Sequence, residues 1–364
     1  MSADPRVVIW RSAMLSASET FVRNHGEALT RWRPFYLGAT RVESALSRPD
    51  DVIVYPAAAD RRAFLRLRLT GRSPRLDRRL AELRPRLVHA HFGGDGWLVS
   101  GAAARLGVPL IVTVHGHDVT RQPAASGAKG LRYRRNLRTV FDRAAVVIAV
   151  SEEIRKRAIH WGADPAKVRV HHTGVPIGGE VRAPAEWDVA FVGRFVEKKG
   201  VDDLLAALAG MQARAVFIGD GPLLPEMRSY AARLGVDASF RGSLPPAEVA
   251  RLLSASRLLA APSRTARDGD TEGLPTTVVE AAALGLPVVA TTHSGIPEAV
   301  RDGETGLLGP EGDRAALTAN LRRLLGDGGL RERLGKQARE HALAHFDLAA
   351  QSRRLEEIYD EVSA

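Results

Sequence analysis

The chain has 364 residues, 45% of them apolar and 26% charged, with a formal net charge of +10. That length predicts two domains, and the composition excludes a disordered or fibrous chain. The absence of cysteine excludes a disulfide scaffold, a thiolate zinc site, a cysteine nucleophile and an iron–sulfur protein, and fits a reducing compartment. Residues 1–183 carry 31 Lys and Arg against 16 Asp and Glu, whereas residues 184–364 carry 21 against 26. Such asymmetry predicts an acidic partner for the first half: an anionic membrane face, nucleic acid or a phosphorylated substrate.

Apolar runs alternate with amphipathic ones along the chain. In the first half, strands are predicted at Val7–Trp10, Val52–Tyr55, Leu87–His91, Leu110–His115, Ala145–Val150 and Val168–His172. Helices are predicted near 19–32, 76–84, 95–106, 131–143 and 152–162. The second half repeats the rhythm, with strands at Asp188–Val192, Ala215–Gly219, Ala238–Arg241, Leu258–Ala261 and Pro287–Thr291. Its helices fall near 200–210, 222–234, 246–255, 275–285 and 313–325, followed by a helical segment over 328–362 interrupted near His345–Asp347. This pattern predicts two α/β domains of Rossmann-like type, joined in the Gly/Pro-rich stretch Pro176–Pro184. The expected division is 1–183, then 184–346, with a C-terminal helix over 347–364. Ligands of such sheets bind beyond the carboxyl ends of the strands, so a cleft between the domains is the expected site.

The charge-free stretch Ala281–Pro297 is broken by two prolines and ends in a polar tail, so it is not a membrane span. Only four apolar residues separate Arg6 from Arg11, too few for a signal-peptide core. The expected location is cytoplasmic.

Several strand ends carry chemistry. After the first strand, Ser18 is placed to cap a helix with Glu19 and Thr20 in its first turn, and these residues also suit polar contact with a substrate. Residues 61–86 contain ten arginines against two acids, with apolar residues at helical spacing. They suit an anionic membrane surface, and equally the solvated surface of an arginine-rich protein. Nucleic acid is not expected, since no recognition-helix, zinc-finger or RRM pattern occurs and only 5% of residues are aromatic. His115 and Asp118 lie in the motif Thr113–Val–His–Gly–His–Asp118 at the end of a first-half strand, where a neutral imidazole can serve a sugar hydroxyl or a leaving phosphate. The pairs His89/His91 and His115/His117, with His171–His172, invite a metal reading, but no Asp/Glu cluster accompanies them at ligand spacing. No metal site is predicted. The D-x-D sequence Asp268–Gly269–Asp270 lies in a loop and is expected to be an acidic edge of the site.

In the second half, Gly193 ends a strand and is followed by Arg194 and Lys199, a pairing suited to a diphosphate, though taken alone it reads more readily as a solvated basic loop. Gly219–Asp–Gly221 allows close backbone approach at the next strand end. Glu272–Gly–Leu–Pro–Thr–Thr–Val–Val–Glu280 places a carboxylate before a helix N-terminus opened by Pro275. On pattern alone it reads equally as a helix with one N-terminal and one surface glutamate.

Taken together these motifs resemble the retaining GT-B glycosyltransferases of family 4. The resemblance runs from SETFV (18–22) through HAHFG (89–93), TVHGHD (113–118), VGRFVEKKG (192–200), IGDGP (218–222) and EGLPTTVVEAAALGLPVVAT (272–291) to SGIPEAVRDGETGLL (294–308). The SETF opening is most similar to the colanic-acid and exopolysaccharide branch. The resemblance implies a GT-B fold and a UDP- or GDP-sugar donor held mainly by the second domain. Arg194 and Lys199 would hold the diphosphate. Glu272 would contact sugar hydroxyls with help from Gly273, Leu274 and Pro275, and Glu280 the ribose. The base would lie near Gly242 and Leu244. His115 would serve the reaction centre, with Ser18, Glu19, Thr20 and Asp118 on the acceptor side, and the last helix would cross back to the first domain. Transfer to an acceptor hydroxyl with retention is implied, without cofactor or metal. The basic first half favours a lipid-linked acceptor, in polysaccharide or glycolipid assembly at the inner face of a membrane. A soluble small-molecule acceptor and a non-catalytic nucleotide-sugar binding protein are the alternatives.

Overall fold

Each strand of the two sheets pairs in parallel with its neighbours, as near-continuous Val, Ile, Leu and Ala runs separated by helices require. The computed structural model describes residues 4–16, 18–179 and 183–364. Residues 180–182 of the predicted joining stretch lie outside the described residues. The chain forms two compact units, one built from the chain up to Gly174 together with Leu348–Ala364, the other from Val175–Asp347.

In chain order the first unit contains β1 (Arg6–Met14), α1 (Thr20–Glu27), β2 (Arg33–Arg41), β3 (Val52–Ile53), α2 (Arg61–Thr70), α3 (Pro74–Leu83) and β4 (Leu87–His91). There follow α4 (Gly93–Leu106), β5 (Leu110–Val114), α5 (Arg121–Ala124), α6 (Gly127–Arg143), β6 (Val146–Ala149), α7 (Glu152–His160) and β7 (Val168–Val170). The strand order is β3-β2-β1-β4-β5-β6-β7. The winding reverses between β1 and β4, and in open α/β sheets the loops beyond such a reversal form a crevice where ligands commonly bind. One core packs Val7, Ile9, Leu87, Ile111 and Ile148 with Trp32 and Tyr36, and with Leu355 and Tyr359 of the C-terminal helix. In that helix the fully buried Glu356 carboxylate accepts the backbone N–H groups of Thr30 and Arg31 at 2.6 Å each and of Trp32 at 3.2 Å. These bonds pin the turn that enters β2.

The second unit contains β8 (Trp187–Val192), α8 (Val201–Leu208), β9 (Ala215–Ile218), α9 (Leu224–Leu234), β10 (Ala238–Phe240), α10 (Pro246–Ser254) and β11 (Ser256–Ala261). It continues with α11 (Thr276–Ala283), β12 (Val288–Thr291), α12 (Ile296–Ala299), β13 (Gly306–Gly309), α13 (Arg314–Gly326) and α14 (Gly328–His345), after which the chain runs into α15 (Leu348–Ser363) of the first unit. The order is β10-β9-β8-β11-β12-β13, with the reversal between β8 and β11. Phe191, Phe195, Phe217, Leu204, Met227 and Leu321 lie in its core. Asp313 and Asp327 cap α13 and α14 by accepting the N–H groups of Ala316 and Leu330, both at 2.9 Å.

Three local expectations are corrected. The predicted helix over 19–32 stops at Glu27, and Arg33–Arg41 forms β2. Pro34 disfavours helical geometry at Arg33, and Gly38 interrupts the apolar run that would have marked a strand. The predicted strand Val52–Tyr55 shortens to Val52–Ile53, although Val54 and Tyr55 still donate backbone bonds to Gly38 and Ala39. Ser18 does not cap α1. Glu19 occupies the cap position and makes no side-chain cap bond, because its carboxylate is drawn to Arg11. Among the described residues no helix is long and apolar enough to cross a membrane.

Candidate active site

In the second unit the loops after β8 and β11 flank the winding reversal and pack on each other. The Arg264 N–H donates to the Lys198 carbonyl at 2.8 Å, and a Cβ on Gly200, whose φ is +62°, would lie 2.0 Å from the Pro262 carbonyl oxygen. Only glycine fits there. The same holds at Gly219, φ +132°, where a Cβ would meet the Gly193 carbonyl at 2.0 Å. The strand ends of β8 and β9 are thus backbone against backbone, and the loop carrying Arg194 to Lys199 has a fixed base. Arg194 is exposed, with no side-chain partner among the described residues.

Lys199 turns toward Glu272, with Nζ 3.2 Å from Oε1. Lys198 Nζ donates to the Thr271 carbonyl at 2.9 Å and pairs with Asp270 at 3.1 Å, lying 4.0 Å from the same Glu272 oxygen. Glu272 is buried. Burial alone would raise its carboxyl, but the Lys199 and Lys198 ammonium groups outweigh that and hold it below the usual carboxylate range. Its Oε1 lies 3.2 Å from the Lys199 ammonium and 4.0 Å from that of Lys198, and no well-directed hydrogen bond from the protein reaches it. A buried carboxylate oxygen with lone-pair capacity to spare is able to accept a further donor.

The backbone of Glu272 is equally constrained. Its N–H donates to His293 Nε2 at 3.0 Å, and its carbonyl accepts the Ser294 hydroxyl at 2.6 Å. Because Nε2 accepts, the ring proton sits on Nδ1, which lies 2.6 Å from Glu311 Oε1. Glu311 also accepts the Thr265 N–H at 2.7 Å, and these bonds overcome burial to hold its carboxyl low. Gly273 accepts the Gly295 N–H at 3.1 Å, while Leu274 and Pro275 are buried and lead into α11. No side chain caps α11, so its first turn offers N–H groups to negative charge. Glu280 is half-buried on α11, and burial pushes its carboxyl up, partly offset by the Thr276 hydroxyl. Gly242 accepts the Gly219 N–H at 2.8 Å and, with the half-buried Leu244, follows β10.

In the first unit His115 follows β5, packed between the rings of Phe21 and Phe92 at centroid distances of 4.8 and 4.5 Å. Its Nε2 lies 3.1 Å from His91 Nδ1. His91 stacks on His89 at 4.5 Å, and His89 bonds Tyr359 at 2.6 Å and Thr113 at 2.7 Å. Burial, with the Arg11 charge and neighbouring histidines, pushes His115 well below its ordinary value, so it is a neutral imidazole. Asp118 is fully buried. Its Oδ1 accepts the His115 and Gly116 N–H groups at 3.0 and 2.9 Å, and its Oδ2 the Gly93 N–H at 2.9 Å. The carboxylate therefore shapes the His115 loop. Glu19 is likewise committed to Arg11, which also pairs with Asp95. Thr20 is half-buried and Ser18 exposed. Among the described residues no group of three His, Cys, Asp or Glu side chains is placed to hold a metal ion.

With this geometry in hand, the chain can be set beside known proteins. Residues 18–178 match the model of Glycosyltransferase Family 4, and residues 180–341 that of Glycosyl transferases group 1. The Salmonella typhimurium protein WcaL, assigned to colanic acid biosynthesis as a glycosyltransferase, is 32% identical over 283 residues, covering 73% of this chain and 68% of WcaL. The chain belongs to glycosyltransferase family 4. This family-4 chain is also 32% identical over 312 residues to the D-inositol 3-phosphate glycosyltransferase of Corynebacterium efficiens, covering 76% of the chain and 71% of that protein. The structure of Anabaena Alr3699/HepE in complex with UDP and glucose superposes with a TM-score of 0.80 at 19% identity, over 98% of this chain and all of the other. The two Rossmann-like units, with seven- and six-stranded parallel sheets, are those of a GT-B glycosyltransferase.

Sequence reasoning on this family-4 chain missed Lys198, His293, Ser294 and Glu311, which fix Glu272 in place. Each lies shortly beyond a strand end, after β8, β12 or β13, the same positional signal that singled out Arg194 and Lys199.

Proposed function

We propose that the protein transfers a sugar from a UDP- or GDP-sugar to an acceptor hydroxyl with retention at the anomeric carbon. The observation that carries this reading is the buried Glu272 carboxylate, held by Lys199 at 3.2 Å with an oxygen open to a ligand donor beside α11. The second unit supplies donor recognition. Arg194 and Lys199 meet the diphosphate, Glu272 and the N–H groups of Gly273 and Leu274 the sugar, with Pro275 opening the helix beside them, Glu280 the ribose, and Gly242 and Leu244 the base. The first unit supplies His115 as a neutral partner for sugar hydroxyls or the leaving phosphate. The UDP and glucose bound in Anabaena HepE support a donor of this class.

The bond from the anomeric carbon to the diphosphate oxygen breaks, and one to the acceptor oxygen forms on the same face. The acceptor proton passes to the departing phosphate oxygen, so no covalent nucleophile is needed. Preorganised charge at Arg194 and Lys199 stabilises the leaving group without a metal, and Asp270 of the D-x-D sequence is already paired with Lys198. The acceptor is a lipid-linked hydroxyl in polysaccharide or glycolipid assembly, met at an anionic membrane face through residues 61–86. The basic first half and the likeness to WcaL support this. A second reading, a soluble phosphorylated acceptor, is favoured by the equal identity to a D-inositol 3-phosphate glycosyltransferase.

The test is thermal stabilisation by UDP, GDP, ADP and dTDP of wild type and Arg194→Ala. Arg194 is exposed and unpaired, so its loss leaves the fold intact. One nucleotide should raise the wild-type midpoint by mass action and raise that of the variant far less. No stabilisation by any nucleotide at millimolar concentration, or equal stabilisation of both proteins, counts against this site.

A further inference from the structure

A cavity of about 350 Å³ opens on the surface of the first unit at α2 and α3, lined by residues that include Tyr55, Ala63, Arg66, Arg72, Arg75 and Arg78. Its size is that of a small-molecule site. Arg75 pairs with Asp60 at 2.6 Å. Arg66, Arg72 and Arg78 are exposed, and among the described residues their guanidinium groups have no partner. Three uncompensated cations around one cavity repel each other, and an anion seated among them reverses the sign of that interaction. The floor is fixed, since the Tyr55 hydroxyl donates to Ser73 Oγ at 2.6 Å, and that oxygen in turn accepts the Leu76 N–H that caps α3.

Beside the cavity, α2 carries an apolar ridge turned outward. Leu67 is fully buried, whereas Leu65 and Leu69 are 51% and 52% exposed. Each lies two positions from Leu67, about 200° round the helix. Arg62 and Arg66 flank the ridge on one side, Arg61 and Arg68 on the other, and all four are exposed. Leucines between rows of arginine form a surface that a charged lipid interface complements and bulk water does not.

We infer that α2 and α3 form a docking site for an anionic phospholipid, with a headgroup phosphate in the arginine-lined cavity and Leu65 and Leu69 in the acyl layer. This deepens the membrane reading given above and is independent of the transfer chemistry. Loss of the nucleotide effect on Arg194 would leave it untouched.

The test is co-sedimentation of the full chain with phosphatidylcholine vesicles, with and without phosphatidate. Wild type should bind only the phosphatidate vesicles. Arg66→Gln/Arg78→Gln should weaken partitioning by about 30-fold, the effect of losing two cation–lipid attractions. Leu65→Ser/Leu69→Ser should weaken it about tenfold or more. Arg132→Gln/Arg135→Gln, which removes the same charge from exposed positions on α6, should change it by less than about threefold. All four variant residues in the docking site are exposed, so melting midpoints should stay at the wild-type value. Equal losses in the cavity and α6 variants would mean diffuse charge and overturn the site. So would failure of wild type to bind phosphatidate vesicles. Stabilisation by inorganic pyrophosphate that depends on Arg66 and Arg78, without vesicle binding, would assign the cavity to a soluble phosphate and overturn the lipid.

Discussion

Replacing Lys199 by methionine keeps its aliphatic stem and removes the charge 3.2 Å from Glu272. Breaking a buried pair from one side costs about 3–5 kcal/mol, because the remaining charge stays buried. Here the cost is smaller. Lys199 is 15% exposed, and Lys198 remains 4.0 Å from the same oxygen. The expected loss is about 2–3 kcal/mol, or roughly 5–10 °C in the midpoint of a unit this size. The pH dependence should also invert. In wild type the carboxyl lies below its ordinary value of 4.5, so its contribution is full above that pH and is lost as pH falls. Without Lys199, burial dominates and the folded carboxyl rises above the unfolded one. The folded state then binds the proton more tightly, and stability falls as pH rises through the new value. Lys199→Met/Glu272→Gln should recover all but about 1 kcal/mol, since neither charge remains. The assay is thermal unfolding of wild type, both single variants and the double variant from pH 4 to pH 8 without nucleotide. The reasoning fails if Lys199→Met keeps the wild-type midpoint and slope, or if the double variant is less stable than Lys199→Met.

Acid should destabilise the first unit early. Burial lowers His25 and His89 to about 3 and His171 to about 4, against an ordinary value of 6.5. Their contribution is present above 6.5 and lost as pH falls toward the folded values, at up to about 1.4 kcal/mol per group and pH unit. Unfolding midpoints should drop between pH 6.5 and 4.5 with proton uptake, and His25→Gln should flatten the slope. Asp118→Asn replaces one acceptor oxygen by a donor facing backbone N–H groups, at a cost of about 2–4 kcal/mol. Guanidinium unfolding would show it as a lower midpoint with unchanged m. Glu280→Gln should raise the donor KM about tenfold with kcat within about threefold, the mark of lost uniform binding. An equal fall in kcat would remove Glu280 from the ribose.

How much was legible in the sequence follows from how far each feature reaches along the chain. Strands of a parallel sheet are buried on both faces, so β5, β8 and β11 announce themselves as apolar runs, and the loops after them carry His115, then Arg194 and Lys199, then Glu272, without any pairing information. β2 was missed because Pro34 and Gly38 interrupt it, and its strand state comes from pairing with β1 and from Glu356, more than 320 residues away, holding the turn before it. Polar residues show the same division. Glu19 and Asp118 have the right chemistry at the right strand ends to meet an acceptor. Their oxygens, however, are taken by Arg11 and by three backbone N–H groups, partners that spacing does not encode. Glu272 differs in that its Oε1 faces two ammonium groups, at 3.2 and 4.0 Å, and accepts no backbone N–H. Residue type and strand position therefore select the candidates, and the hydrogen bonds already made separate carboxylates that build a loop from those with an oxygen still open.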